Sequence, residues 1–568
     1  MVARAIFMTF VLIVSLASAA AADTAVTGQV YVRHDGGSDS VITNCNSNDP
    51  ANAAGNNLED NEPALAMKPD EPTYMAVGAN DYCSDWLGVH ASDDAGASWT
   101  DSLLPGYPGD TSTEGQASPL FGRSSIAADP LVDWDNDGNL FVGGIAFNFE
   151  GAQNGDVFVG TYSRDSTTPL GIDYLRTALV GRGTPAPFPG GRFLDKPSLK
   201  VDDWSGSSNE GNVYVAWTRF VGQTSTNTAI YFSRSTDQAR RFSTPVKVSK
   251  DLPNAQGSEV AVAPDGTVYV FWRQFARRSA RLADAILFVK STNAGRSFSK
   301  PKQVRTIVPY DRTDVFVNDG PADDCGDGDL LCVSNFVFHR TGSFPQATTD
   351  DNGNVYLTWE EVLPAPDNGD SYRPDGQSRV VVTKSTNGGT SWSTPVTADP
   401  QPVGHQWWPN LEYDKAVDRL ALIYYDSRYD PAYSVYRPPG NLADGTSVCG
   451  TPIGSSPCNV LNTFLATSSD GTTWSSTQVS SVGHQPEYET RGDGQIPFLG
   501  DYLWVDAAGG TVYGVWTDNR DVVPGTDPRE AVQDGFDVLQ CRATPDSPDT
   551  CPNAGGRNQN IYGAALPL

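Results

Sequence analysis

Four stretches of this chain place an arginine at or just past an aromatic residue that ends an apolar run: Trp217-Thr218-Arg219, Trp272-Arg273, Tyr425-Asp426-Ser427-Arg428 and Trp516-Thr517-Asp518-Asn519-Arg520. A guanidinium is a planar fork of donors and suits bidentate capture of a carboxylate. If equivalent ends of repeated strands converge, Arg219, Arg273, Arg428 and Arg520 make a site for an anionic ligand. The spacing has a second reading, because Asp426/Arg428 and Asp518/Arg520 would also serve as salt bridges between neighbouring sheets. At the same strand ends stand Glu62, Asp81, Asp195, Lys196, Glu259, Asp426, Asp501 and Asp518. The run His405-Gln406-Trp407-Trp408 suits stacking on a sugar ring, with core packing of Trp408 as the rival use.

These residues need strands to hold them, and the strands come as a repeat. Seven units can be traced, each with a short inner strand followed by a strand such as Val213-Tyr214-Val215-Ala216-Trp217, Val268-Tyr269-Val270-Phe271-Trp272 or Val355-Tyr356-Leu357-Thr358-Trp359. Most units then lead into a turn of the form Ser-x-Asp/Asn-x-Gly-x-Ser/Thr-aromatic. Copies lie at Ser92–Trp99, Ser291–Phe298 and Ser385–Trp392, with a degenerate one at Ser235–Phe242 and a shorter one at Ser468–Trp474. Serine and Asp/Asn side chains hydrogen-bond nearby backbone, and glycine accepts a positive φ. With 55 glycines and 40 prolines among 568 residues, the composition suits an all-β protein rich in turns.

The turn motif resembles the Asp box, or BNR repeat, of sialidases and related β-propellers. The resemblance implies a single β-propeller over residues 23–568. Seven blades are expected, six being the alternative, with the N-terminal stretch Gly28–Arg33 adding the last strand of the seventh blade. Closing the ring in this way removes an exposed sheet edge. The family's catalytic domain has six blades, so a seventh is a departure.

The family's chemistry implies a glycoside hydrolase for terminal acidic sugars. Three arginines hold the sugar carboxylate, a tyrosine polarised by a glutamate is the nucleophile, and an aspartate is the acid/base, a known exception to the two-carboxylate scheme. The family's N-terminal Arg-Ile-Pro signature is absent here; Tyr31-Val32-Arg33 does not match it. Tyr488-Glu489 is the nearest tyrosine beside a glutamate, Tyr310-Asp311-Arg312 is a second candidate, and Asp195 takes the place of the aspartate. The alternative is a non-catalytic propeller that binds glycan or protein through the same funnel.

Residues 1–22 hold one basic residue, Arg4, an apolar run from Ile6 to Leu16, and then small residues, the pattern of a secretory signal peptide. The expected product is a secreted, extracellular monomer with 38 basic against 68 acidic residues. Such a charge excludes nucleic acid and anionic membrane as natural partners, and membrane insertion is not expected. The partner in view is a glycan or glycoconjugate.

Eight cysteines in an exported chain should pair. Proximity gives Cys325–Cys332, Cys449–Cys458 and Cys541–Cys551, and elimination leaves Cys45–Cys83. No cofactor is expected. Calcium at the turn Asp133-Trp134-Asp135-Asn136-Asp137-Gly138 is the one metal reading, and it is weakened by glycine at the twelfth position, Gly144.

Overall fold

The computed structural model describes residues 22–28, 31–45, 59–148, 155–184, 191–221, 228–250, 252–276, 282–310, 341–366, 376–443, 459–486, 499–521 and 559–568. It also gives the backbone of 313–314, 372–373, 490–491 and 496–497. Seven four-stranded antiparallel sheets stand around one axis as a seven-bladed β-propeller. The inner strands are Asp60–Lys68, Ile126–Trp134, Arg192–Val201, Ala255–Val262, Gln346–Thr349, Gln406–Asp414 and Trp504–Ala508. Two short helices, Ser40–Cys45 and Thr113–Gln116, lie outside the blades.

Second strands such as Val268–Gln274 are buried at every residue. A blade is covered on both faces by its neighbours, so its strands read as unbroken apolar runs. Tryptophans 217, 272, 359 and 516 sit at matching places in these strands and are almost fully enclosed.

The five recurring turns share one hydrogen-bond pattern. In each, a serine hydroxyl bonds to an Asp or Asn side chain and accepts a backbone N–H three or four residues on, as Ser385 Oγ does from Gly389 at 2.9 Å. Each turn follows the third strand of its blade and leans on the blade before it. A Cβ on Gly389 would come within 2.5 Å of the Phe288 ring, and Trp392 packs edge-on against the same ring.

The seventh blade comprises Trp504–Ala508, Thr511–Asp518, Asn560–Pro567 and the N-terminal strand Thr24–Ala25, so the two chain ends close the ring. The closing strand lies several residues earlier than Gly28–Arg33. Thr24 and Ala25 pair with Gly563 and Tyr562, while Tyr31 bridges to Asp101 in the outer strand of the first blade. The reason is local. Gly28 N–H donates to Asp101 Oδ2 at 2.7 Å and Val32 N–H to Asp101 O at 2.8 Å, which carries the chain across to the next blade.

Cys45 and Cys83 form a disulfide, Cα–Cα 5.8 Å, which ties the first helix to that blade. The other six cysteines lie outside the described residues, as does the stretch 1–21. No helix among the described residues is long and apolar enough to cross a membrane.

Side chains on a strand alternate, so the inner strands present tiers of residues to the axis. Ala64, Leu131, Ser198, Glu259, Gln346, Asn410 and Trp504 pair at matching places with their second strands. Two residues earlier is an upper tier, of which Asp129, Lys196, Gly257, Phe344 and Tyr502 line a chamber on the axis, while Glu62 and Trp408 are buried beside it. Two residues later is a lower tier of Ala66, Asp133, Lys200, Ala261, Thr348, Glu412 and Asp506.

Candidate functional site

Five inner strands carry a β-bulge just before the middle tier. The upper-tier residue there has positive φ: Glu62 55°, Asp129 58°, Lys196 47°, Gly257 64° and Trp408 50°. A non-glycine residue in this conformation costs roughly 1–2 kcal/mol. Four such residues around one mouth concentrate strain where a site would use it, because a bulge re-aims the side chain. Proline follows in each of these four, at Pro63, Pro130, Pro197 and Pro409. The long connections open on this face as well, among them 427–461 and 519–559, whereas the opposite face has short turns. Loops held by a rigid scaffold are where binding residues gather.

At the mouth, Asp129 Oδ2 and Asp195 Oδ1 both accept the backbone N–H of Lys196, at 3.0 and 2.8 Å. Burial, the negative fields of Asp195 and Glu62, and a hydrogen bond to Asp195 push the Asp129 carboxyl well up, with Lys196 opposing. The Asp129 carboxyl is therefore held toward its protonated form. Lys196 Nζ pairs with Asp501. Asn80 joins the first two blades, donating to Glu62 Oε2 at 2.9 Å and accepting Asp129 N–H at 3.0 Å. Gly500, with φ 85°, packs on Glu62 so closely that a Cβ would meet its side chain at 2.4 Å. Burial and the surrounding carboxylates raise the Tyr502 hydroxyl and keep it a neutral phenol. Asp129, Lys196, Glu259, Phe344, Asp501 and Tyr502 are among the residues that line a chamber of about 60 Å³. Glu259, one tier down, is pushed up chiefly by burial, with Lys200 opposing.

The structure thus brings together Glu62, Asp195, Lys196, Glu259 and Asp501 from the sequence reading. Asp129 and Tyr502 were missed. The signal for Asp129 was the Asp129-Pro130 pair, which matches Glu62-Pro63 and Lys196-Pro197.

The arginines are placed elsewhere, and none of the four lines the chamber. Arg273 pairs with Asp284 at 2.7 Å, donates to Gly342 O and stacks on Phe275. Arg428 pairs with Asp426 and Asp399 and stacks on Phe464. Arg520 pairs with Asp518 and Asp23 and stacks on Tyr562. Arg219 lies over the Tyr231 ring at 4.1 Å. Arg428 and Arg520 thus have the fully buried Asp426 and Asp518 as counter-ions, and Arg273 has Asp284.

His405 and Trp407 are enclosed and do not form a stacking patch. His405 Nε2 is 3.0 Å from Ser434 O, its Nδ1 accepts Ser378 N–H, and Trp407 packs between Tyr310 and Tyr425. Trp408 is a core residue at 5% exposure. Asp81 caps the turn at Cys83 and Ser84. Tyr488 and Glu489 lie outside the described residues. In the turn 133–138, Asp135 accepts N–H groups of Asp137 and Asn139, an ordinary hairpin bond set.

No protein-family model matches the chain, and no curated protein matches it. Among solved structures it is similar to an α-L-arabinanase of Penicillium chrysogenum, at 13% identity over 64% of this chain and 88% of that one, TM-score 0.39. It is also similar to a Hadza microbial sialidase, at 13% identity over 79% and 72%, TM-score 0.38. An ulvan lyase is similar at 13% identity over 70% and 81%, TM-score 0.37. Likenesses at this level bear on neither the substrate nor the mechanism of this chain.

Proposed function

We propose that this propeller is exported and acts on a glycan at the mouth of the axial channel, with Asp129 as the acid and Asp195 as its partner carboxylate in glycosidic cleavage. The observation that carries the reading is the pair of carboxyls that both accept Lys196 N–H, held by strained backbone in the face that receives the long loops. A carboxyl that burial and neighbouring negative charge hold toward its neutral form can protonate a leaving oxygen while a second carboxyl serves as base or stabiliser. Phe344 and Trp504 offer apolar walls beside it.

An uncharged sugar fits this mouth better than an acidic one. Lys196 is the one cation lining the chamber among the described residues, and it is committed to Asp501. The acidic-sugar reading keeps its place as a specificity to be tested, and so does the non-catalytic one. The experiment is a panel of fluorogenic aryl glycosides that includes a sialoside, run on the parent and on Asp129→Asn. Cleavage of neutral glycosides that falls at least a hundredfold in the variant supports the assignment. Cleavage confined to the sialoside restores the acidic sugar. No cleavage, with retained binding on a glycan array, makes the protein a lectin-like module.

A further inference from the structure

The lower tier encloses a second chamber, of about 310 Å³, at the other end of the axis. Asp133, Lys200, Glu412 and Asp506 form its floor, and Asp203, Trp204 and Lys415 form its rim. Lys200 Nζ is 3.0 Å from Glu412 Oε2 and 3.9 Å from Asp133 Oδ2. Lys415 Nζ is 2.6 Å from Asp203 and 4.2 Å over the Trp204 ring. The two lysines thus attend to Glu412 and Asp203, with Asp133 at the edge of reach. Among the described residues, Asp506 has only backbone donors at close range: Met67 N–H at 2.6 Å and Ala507 N–H at 2.7 Å. Deep as they lie, the Asp133, Glu412 and Lys200 side chains keep 15, 19 and 27% exposure, facing the space they enclose.

Negative charge is therefore in surplus inside a recessed, partly aromatic space. A bare metal ion does not fit the arrangement. Among the described residues, no three His, Cys, Asp or Glu of this chamber bring ligand atoms within 4.8 Å of one another. The rim already holds an ammonium group between a carboxylate and an aromatic face, in the geometry of a cation–π contact.

We propose that the lower chamber is a binding site for a small organic cation, an alkylammonium or guanidinium compound. Its charged group sits against Asp506 and Asp133, and its carbon chain lies along Ala261, Val262 and Ala507. A chamber of this size suits a compact molecule at the small end of ligand pockets. Burial holds Asp506 at about 7 and Asp133 at about 6. Asp506 is faced by Glu412 and Lys200, and Asp133 by Lys200, Asp203 and Glu412. An arriving cation draws both carboxyls to the ionised form, so binding releases a proton near neutral pH.

The test is calorimetric titration of the whole protein at pH 7 with agmatine, 1,5-diaminopentane, 1,5-pentanediol and calcium chloride, each in two buffers of different ionisation enthalpy. The expected result is binding of one or both amines with proton release, at least tenfold weaker in Asp506→Asn. That variant keeps an acceptor for Met67 N–H, and its melting curve reports that it is folded. Binding of neither amine, equal binding of the diol, binding of calcium alone, or amine affinity unchanged in the folded variant each overturns the proposal.

Discussion

Replacing Arg428 by alanine should unfold this protein more easily and leave any glycan affinity of the folded state intact. Asp426 is fully buried and Asp399 nearly so, while the guanidinium between them keeps 13% exposure and lies 3.7 Å over the Phe464 ring. Removing one partner of a buried ion pair strands the other, at a cost of about 3–5 kcal/mol. The ring contact contributes about 0.5–2 kcal/mol of that. Arg428→Lys keeps the charge and loses the fork, so it should fall between parent and alanine. The double change Asp426→Asn with Arg428→Met removes the stranded charge and should recover much of the loss. Urea denaturation of the four proteins measures this, and Arg273→Ala and Arg520→Ala should behave alike. An unchanged unfolding midpoint for Arg428→Ala, together with lost ligand binding, would refute the strut and restore the arginines as a clamp.

Gly389→Ala should lose about 1–3 kcal/mol, because φ is +76° and the added carbon meets Phe288, whereas Gly353→Ala, with φ +72° and open space, should lose only the conformational part; thermal melts of the pair separate the two terms. Removing residues 23–28 should lower the melting midpoint, since Thr24 and Ala25 complete the seventh blade and Asp23 pairs with Arg520; an unchanged melt would mean that the ring closes without them. Changing Cys45 and Cys83 to serine opens a link across 38 residues and should cost up to about 4 kcal/mol in urea. Asp506 has a folded pKa near 7, above the ordinary carboxyl value, so ionising it weighs against the fold as pH rises from about 4 to 7 and beyond. Asp506→Asn should match the parent near pH 4 and be the more stable at pH 8. Three units correspond to at most about 4 kcal/mol, less the screening within the chamber; a variant less stable than the parent at pH 8 contradicts the sign.

The blade count, the ring closure by the N-terminus, the recurring turns and the Cys45–Cys83 link were all legible in the chain. Each is a local pattern or an arithmetic one. Unbroken apolar runs such as Val213 to Trp217 mark strands covered on both sides, and an unpaired last blade calls for a strand from the other terminus. Part of the strut chemistry was legible too, since Asp426/Arg428 and Asp518/Arg520 stand two apart and point the same way in an extended chain.

What the chain alone could not give is which charges meet. Asp399 reaches Arg428 from the blade before it, Asp23 reaches Arg520 across almost the whole chain, and Lys196 meets Asp501 from four blades away. Asp129 and Lys196, both at positive φ, line the mouth. From there, period-two alternation carries Asp133, Lys200, Glu412 and Asp506 into one lower chamber. Sequence separation holds no information about such meetings, because ring closure sets the distances. Only the tertiary structure shows which carboxylates pair with Arg273, Arg428 and Arg520 and which face the axis.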